Sequence, residues 1–155
     1  ETRFGCDQVC FTTEINPGSG FKPLNKIASG GELSRFLLAV KLCFLKKKYG
    51  KTQIFDEIDR GVGGATASAI GKRLLALSRH EQVLVVTHSP QVAAYSDNHL
   101  KVEKINTEKS TITKVETLGE EKIIREIARM LSGELITPEA LAAAARLRNS
   151  SKLAN

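Results

Sequence analysis

One stretch in the middle of the chain restricts the possible folds more than any other. Thr52–Ile58 is a short apolar run that ends in the acidic group Asp56-Glu57-Ile58-Asp59, and the turn Gly61-Val62-Gly63-Gly64 follows it. Helical spacing then runs from about Ala65 to Ser78, and Gln82–Thr87 is a β-branched run without alternation. That last pattern predicts a strand buried on both faces of a parallel sheet. A strand, a crossover helix and a second strand in one sheet form a right-handed unit with parallel strands, so both carboxyl ends lie on one edge. Asp56, Glu57 and His88 are then expected to share a crevice at that edge, where open α/β sheets bind ligands. The predicted fold class is α/β, a mainly parallel sheet with helices.

The flanks are consistent with a single domain spanning residues 1–155. Phe4–Ile15 reads as a strand, rich in aromatic, β-branched and Thr residues, and it stops at the loop Asn16-Pro17-Gly18-Ser19-Gly20. Leu33, Phe36, Leu37, Val40 and Phe44 follow helical spacing, and Leu38, Ala39, Leu42 and Leu45 widen the stripe almost to the full circumference, which predicts a buried helix. Ser29 and Glu32 have the offset of a capping box, with Gly30 and Gly31 in the first turn. After His88, Ser89-Pro90 opens a short helical stretch. Leu100–Ile105 and Thr111–Thr117 read as a hairpin around Asn106-Thr107-Glu108-Lys109. Glu120–Leu131 is amphipathic, and Thr137 followed by Pro138 announces a last helix through Ala140–Leu147. No internal repeat or low-complexity linker interrupts this order.

Composition excludes several classes. With 155 residues, 41% of them hydrophobic, the chain can bury a core, and no run approaches the roughly 20 apolar residues of a membrane-spanning helix. Three cysteines, Cys6, Cys10 and Cys43, form an odd set without metal-ligand spacing, so neither a disulfide framework nor a zinc site is expected; they read as buried small hydrophobes. The formal charge of +6 favours phosphate-rich partners without identifying one. The densest basic stretch, Lys41, Lys46, Lys47, Lys48 and Lys51, reads either as a solvated helix end or as a nucleic-acid patch. Cations near a helix C-terminus are favoured anyway, which weighs toward the first reading. No secretory pattern opens the chain, so cytoplasm is the default location. Met130 is the only methionine and the chain opens at Glu1, which predicts a processed product or an excised piece.

Three groups of residues carry chemistry. Ser29-Gly30-Gly31-Glu32 places free backbone N–H groups, a hydroxyl and two glycines at a helix N-terminus, which suits a phosphate-sized anion as well as a plain helix cap. Asp56 and Glu57, adjacent at a strand end, need a compensating cation or proton. On an extended strand they face opposite sides, which suggests a division of labour in which one holds Mg²⁺ and the other orients water. His88 follows the neighbouring strand and lands beside them. A P-loop is missing: Gly50-Lys51-Thr52 has Leu45 where the first glycine belongs, and Gly71-Lys72 is followed by Arg73 inside a predicted helix. The parts present amount to half of a nucleotide site.

Four stretches, in order and spacing, resemble the motifs of ABC-type ATPases in their SMC-like form. Ala28-Ser29-Gly30-Gly31-Glu32-Leu33-Ser34-Arg35 resembles the signature motif, Ile54-Phe55-Asp56-Glu57 the Walker B motif, Gly61 to Gly64 the D-loop, and Thr87-His88 the switch histidine. Asn16-Pro17-Gly18, Lys22-Pro23-Leu24 and Thr87-His88-Ser89-Pro90-Gln91-Val92-Ala93-Ala94 are similar to the group that acts in bacterial double-strand-break repair. The resemblance covers nearly the whole chain, more loosely beyond Lys101. It implies that Asp56 holds Mg²⁺, that Glu57 is the general base and that His88 contacts the γ-phosphate. Ser29, Gly30 and Gly31, with Glu32, would contact ATP bound to the other subunit of a head-to-head homodimer, and Asp59 and Gly63 would lie near that interface. The family's P-loop, Q-loop and coiled-coil arm precede this region, so the resemblance implies the C-terminal lobe of an ATPase head. Such a lobe would be inactive alone, partnered by the P-loop half, by a second copy and by DNA, with no membrane contact. It would also expose a sheet edge and an apolar helix face and so tend to self-associate. Two other classes compete with this reading. One is a non-catalytic DNA-binding or assembly module that keeps the fold. The other is a metal nuclease using Asp56, Glu57 and Asp59, which is weak because three acids on one strand do not converge on one ion.

Overall fold

The computed structural model describes residues 3, 5–7, 9–14, 17–24, 30–43, 51–106 and 110–153. In chain order, β1 (Thr12–Thr13) pairs antiparallel with β2 (Lys22–Pro23), and α1 (Gly30–Cys43) follows. Next come β3 (Thr52–Asp56), α2 (Gly64–Ser78) and β4 (Gln82–Val86), with β3 and β4 paired in parallel so that Ile54 lies opposite Leu84 and Phe55 opposite Val85. This is the expected β-α-β unit. The single turn α3 (Pro90–Ala93) leads to the hairpin of β5 (His99–Asn106) and β6 (Thr111–Leu118), and the chain ends in α4 (Glu120–Ser132) and α5 (Pro138–Leu153). The expected cap of the last helix is made: Thr137 Oγ1 accepts the Ala140 N–H at 3.2 Å.

Two apolar clusters hold these elements. In the first, Leu38 of α1 and Ala67, Ile70, Leu74 and Leu77 of α2 close over Phe55, Val83 and Val85, with Ile58 and Val92 beside them. The second joins Ala94 and Leu118 to Ile123, Ile127 and Ala128 of α4 and Ala144 of α5. Because α1 and α2 both pack on one face of the β3–β4 pair, the strands alternate after all. Ile54, Leu84 and Val86 point the other way and are 70%, 44% and 58% exposed. The expected burial on both faces therefore does not hold among the described residues, where no element covers the second face.

Three further expectations need correction. The α1 stripe is not buried around its circumference, since Leu38 is buried while Leu33 and Leu37 are 39% and 45% exposed; Phe44 and Leu45 lie outside the described residues. The first strand contracts to Thr12–Thr13, with Phe4 and Ile15 outside the described residues; Phe11 is exposed on its outer side and meets Phe36 of α1 edge-on, ring centroids 6.2 Å apart. The cysteines are free but all exposed, because the segments that carry them lie at the rim of the first cluster or outside it. The loop after the first strand forms as expected, with Glu14 Oε1 accepting the N–H groups of Gly18 (2.9 Å) and Gly20 (3.0 Å). The Lys46–Lys48 stretch and the tip of the hairpin, Thr107–Lys109, lie outside the described residues.

One close approach fixes how α2 meets the turn after α3. A Cβ on Gly71 would lie 2.5 Å from Cδ2 of the Tyr95 ring, whose hydroxyl is within 3.1 Å of Ser68 Oγ on the same helix. Alanine would gain about 1 kcal/mol of helix propensity, yet overpacking of this kind costs about 1–3 kcal/mol. Gly71→Ala is therefore expected to lower the melting temperature, and Tyr95→Leu, which removes the ring, to reverse the sign. A double-mutant cycle by thermal denaturation checks both.

Candidate functional site

The carboxyl edge of the parallel pair gathers the chemistry. β3 ends at Asp56 and β4 at Val86, and the ladder continues one step further as the Glu57 N–H donates to the Val86 carbonyl at 3.2 Å. Glu57 then leaves the strand with φ at +49°, the only positive value among the described non-glycine residues. For an L-residue this conformation costs about 1–2 kcal/mol. Such strain concentrates where a side chain must be aimed. The alternation expected for Asp56 and Glu57 thus stops at Asp56. Glu57 sits at the head of a tight turn, its carbonyl accepting the Arg60 N–H at 3.0 Å and its Oε2 paired with Arg60 Nη1 at 2.9 Å. Asp56, Glu57 and His88 are all exposed at this edge.

Asp59 behaves differently from its acidic neighbours. It is 5% exposed, its Oδ2 accepts the Thr87 hydroxyl at 2.5 Å, and its Oδ1 is buried without a hydrogen-bond partner. Thr87 Oγ1 in turn accepts the Ser89 N–H at 2.9 Å, so a buried carboxylate anchors the turn that carries His88.

The N-terminus of α1 lies against the same loop. Arg35 Nη1 donates to the carbonyls of Ile58 (3.1 Å) and Arg60 (3.3 Å). A Cβ on Gly31 would press on Arg35 Nη1 at 3.0 Å, the group that grips the loop, and would make only an ordinary contact with the Arg60 carbonyl at 3.5 Å. Gly30, by contrast, faces open space, as does Gly63, the N-cap of α2. Glu32 is half-buried in the first turn of α1, and Ser29 lies outside the described residues. The structure therefore brings Gly30, Gly31, Asp56, Glu57, Asp59 and His88 to one side of the fold through two hydrogen-bonded links. Among the described residues no three His, Cys, Asp or Glu side chains group closely enough to form a metal cage, and the buried Asp59 is not available to join Asp56 and Glu57 in one.

The chain is 47% identical over 144 residues to the DNA repair protein RecN of Rickettsia bellii, covering 93% of this chain and 26% of that protein. It is a RecN-like segment. RecN of Streptomyces coelicolor is 48% identical over 130 residues, 84% of this chain, and RecN of Xylella fastidiosa 46% over 143 residues, 92% of this chain. The segment spans about a quarter of the length of these RecN relatives, 26%, 23% and 26% respectively. A solved SMC ATPase structure, from work on ATP-driven dimerization and DNA-stimulated activation, superposes with a TM-score of 0.52 at 23% identity, covering 76% of this chain and 70% of that one. The RecN-like segment thus has the α/β fold of an SMC ATPase head. No protein-family profile matches it. No described helix is long and apolar enough to cross a membrane.

Sequence reasoning left two contributors without a role. Arg35 stands in the signature-like stretch, and Thr87 directly before His88, yet their partners are 23 to 28 residues away in sequence. The available signal for Thr87 was its place at the end of an apolar strand, where a hydroxyl has to find a partner.

Proposed function

We propose that this segment is the signature-bearing, water-activating part of a RecN-like DNA repair ATPase head. The observation that most supports the reading is the single edge formed by Asp56, Glu57 and His88, with Gly30 and Gly31 held beside it through Arg35. The donor set suits Mg²⁺ and a triphosphate: an exposed carboxylate at the strand end, a second carboxylate in a different backbone conformation, and a helix N-terminus that begins with an exposed glycine.

In this reading Asp56 holds the metal ion. Glu57 accepts a proton from the attacking water, and His88 donates to the terminal phosphate. Ser29, Gly30 and Gly31 offer a hydroxyl and backbone N–H groups to the phosphate of a nucleotide carried by a second copy. Bound Mg²⁺ and ATP supply the transferable phosphoryl group and its charge neutralisation. The chain's own contribution is orientation, since phosphoryl transfer depends mainly on positioning and preorganised charge. The SMC ATPase neighbour is described as dimerizing under ATP and as DNA-stimulated. A homodimer that works on DNA fits the exposed Gly30 and the net charge of +6.

The test is complementation. The isolated chain is expected to turn over ATP at background level, and addition of the P-loop part of a RecN relative, fused or in trans, to restore turnover. Salt-dependent DNA binding without any recovery of turnover would replace this reading with a non-catalytic DNA-binding or assembly module.

A further inference from the structure

The loop after β3 is held from two sides. On one side Arg35 Nη1 reaches the carbonyls of Ile58 and Arg60, the two residues that flank Asp59. On the other, Asp59 turns inward and accepts the Thr87 hydroxyl. That hydroxyl has one proton, which the carboxylate takes, so its lone pairs are directed at the Ser89 N–H. The two bonds therefore fix the residue before His88 and the residue after it. Fastening a turn does not by itself require a buried acid, because a neutral acceptor would serve. A carboxylate with one oxygen orphaned in the interior is expensive and calls for an explanation.

We propose that Asp59 is a positioning residue. Through Thr87 it sets the His88 turn against Glu57, and through the carbonyls bound by Arg35 it couples that turn to the glycine-rich start of α1. The inference rests on the reading of Glu57 and His88 as phosphoryl-transfer groups. Its physical content is that His88 and Gly30-Gly31 move as one unit: a displacement of α1 is transmitted by Arg35 to residues 58–60 and by Asp59 to residues 87–89. Since a misplacement of about 1 Å can cost about 10²-fold in rate, a link of this kind affects turnover more than binding.

Three variants test it: Thr87→Val, which removes the hydroxyl and keeps the shape, Thr87→Ser, which keeps the hydroxyl, and Asp59→Asn. In the chain complemented by the P-loop part, Thr87→Val is expected to lower kcat about tenfold with little change in KM for ATP, and Thr87→Ser to restore it. Asp59→Asn keeps a neutral acceptor for the Thr87 hydroxyl and should therefore fall between the wild type and Thr87→Val. A merely structural role would lower the melting temperature and leave the kcat of the folded fraction unchanged, and that result overturns the proposal. So does a Thr87→Ser variant as impaired as Thr87→Val. If complementation fails for the wild type, amide hydrogen exchange on the 155-residue chain still decides whether the link exists. The Ser89 amide is expected to be protected in the wild type and to lose that protection in Thr87→Val. If Thr87→Val does not fold, an unprotected Ser89 amide in the wild type is enough to overturn the link.

Discussion

Glu57→Gln is expected to reduce ATP turnover by about 10²- to 10⁴-fold in the complemented chain while nucleotide binding persists, because the substitution removes a proton acceptor and little else. Glutamine is nearly isosteric and tolerates the φ of +49° no worse than glutamate does, so the turn from Asp56 to Arg60 should survive. Only the ion pair with Arg60 weakens. Its partners are 75% and 51% exposed, which limits the contribution of the pair to less than about 1 kcal/mol. The circular dichroism spectrum and melting temperature of the variant should therefore match the wild type, and the loss should appear in kcat. Asp56→Asn is the contrasting case: removal of the carboxylate proposed to hold the metal should raise the Mg²⁺ concentration needed for half-maximal turnover. Turnover by Glu57→Gln within about threefold of wild type would remove Glu57 from the base role.

The sequence made the central unit legible because its signals are local. A β-branched run, a glycine turn and a helical repeat each show themselves within about ten residues, and handedness then supplies the parallel pairing and the shared edge. What failed was everything that depends on the far side of an element. Gln82–Thr87 carries apolar residues on both faces, but periodicity does not say whether a second layer is there to cover Ile54, Leu84 and Val86. The wide stripe of α1 misled in the same way. At the site, residue types and order were readable, whereas the Glu57 backbone and the inward turn of Asp59 were not. Three acids within four positions look alike in sequence, and only the folded structure shows that Asp59 is the one that reaches Thr87.

The residue most remote from any sequence signal carries the second large effect. Arg148, near the end of α5, looks like one of several basic residues on a solvated helix, yet it is 3% exposed. Its Nη1 donates to the carbonyls of Ala94 (2.7 Å) and Ser96 (2.6 Å), and Nε and Nη2 straddle the Glu120 carboxylate at 3.1 and 3.2 Å. One guanidinium thus joins the turn after α3, the start of α4 and the end of α5. Arg148→Met keeps much of the volume and removes these bonds. Ala94 O still accepts Ser151 Oγ, and Glu120 keeps Lys152 at 2.7 Å, so the cost falls mainly on the Ser96 carbonyl and the lost charged bonds. At about 1.5–3 kcal/mol for a hydrogen bond to a charged group, Arg148→Met should destabilise the chain by about 3 kcal/mol, read as a lower urea midpoint at unchanged slope. Lys152→Met, which removes only the half-exposed partner, should cost less than about 1 kcal/mol. Acid supplies an independent check. Arg148 first, and Lys152 with it, hold the Glu120 carboxyl down at about 2 from an ordinary value of 4.5. A carboxylate depressed in the folded state stabilises the fold above its unfolded value, and this contribution is lost as pH falls from about 4.5 toward 2. Wild type should therefore lose stability through that window, and Arg148→Met, whose Glu120 retains only the lysine, should lose less. Equal acid sensitivity of the two proteins would mean that Arg148 fastens the three elements through its carbonyl bonds alone.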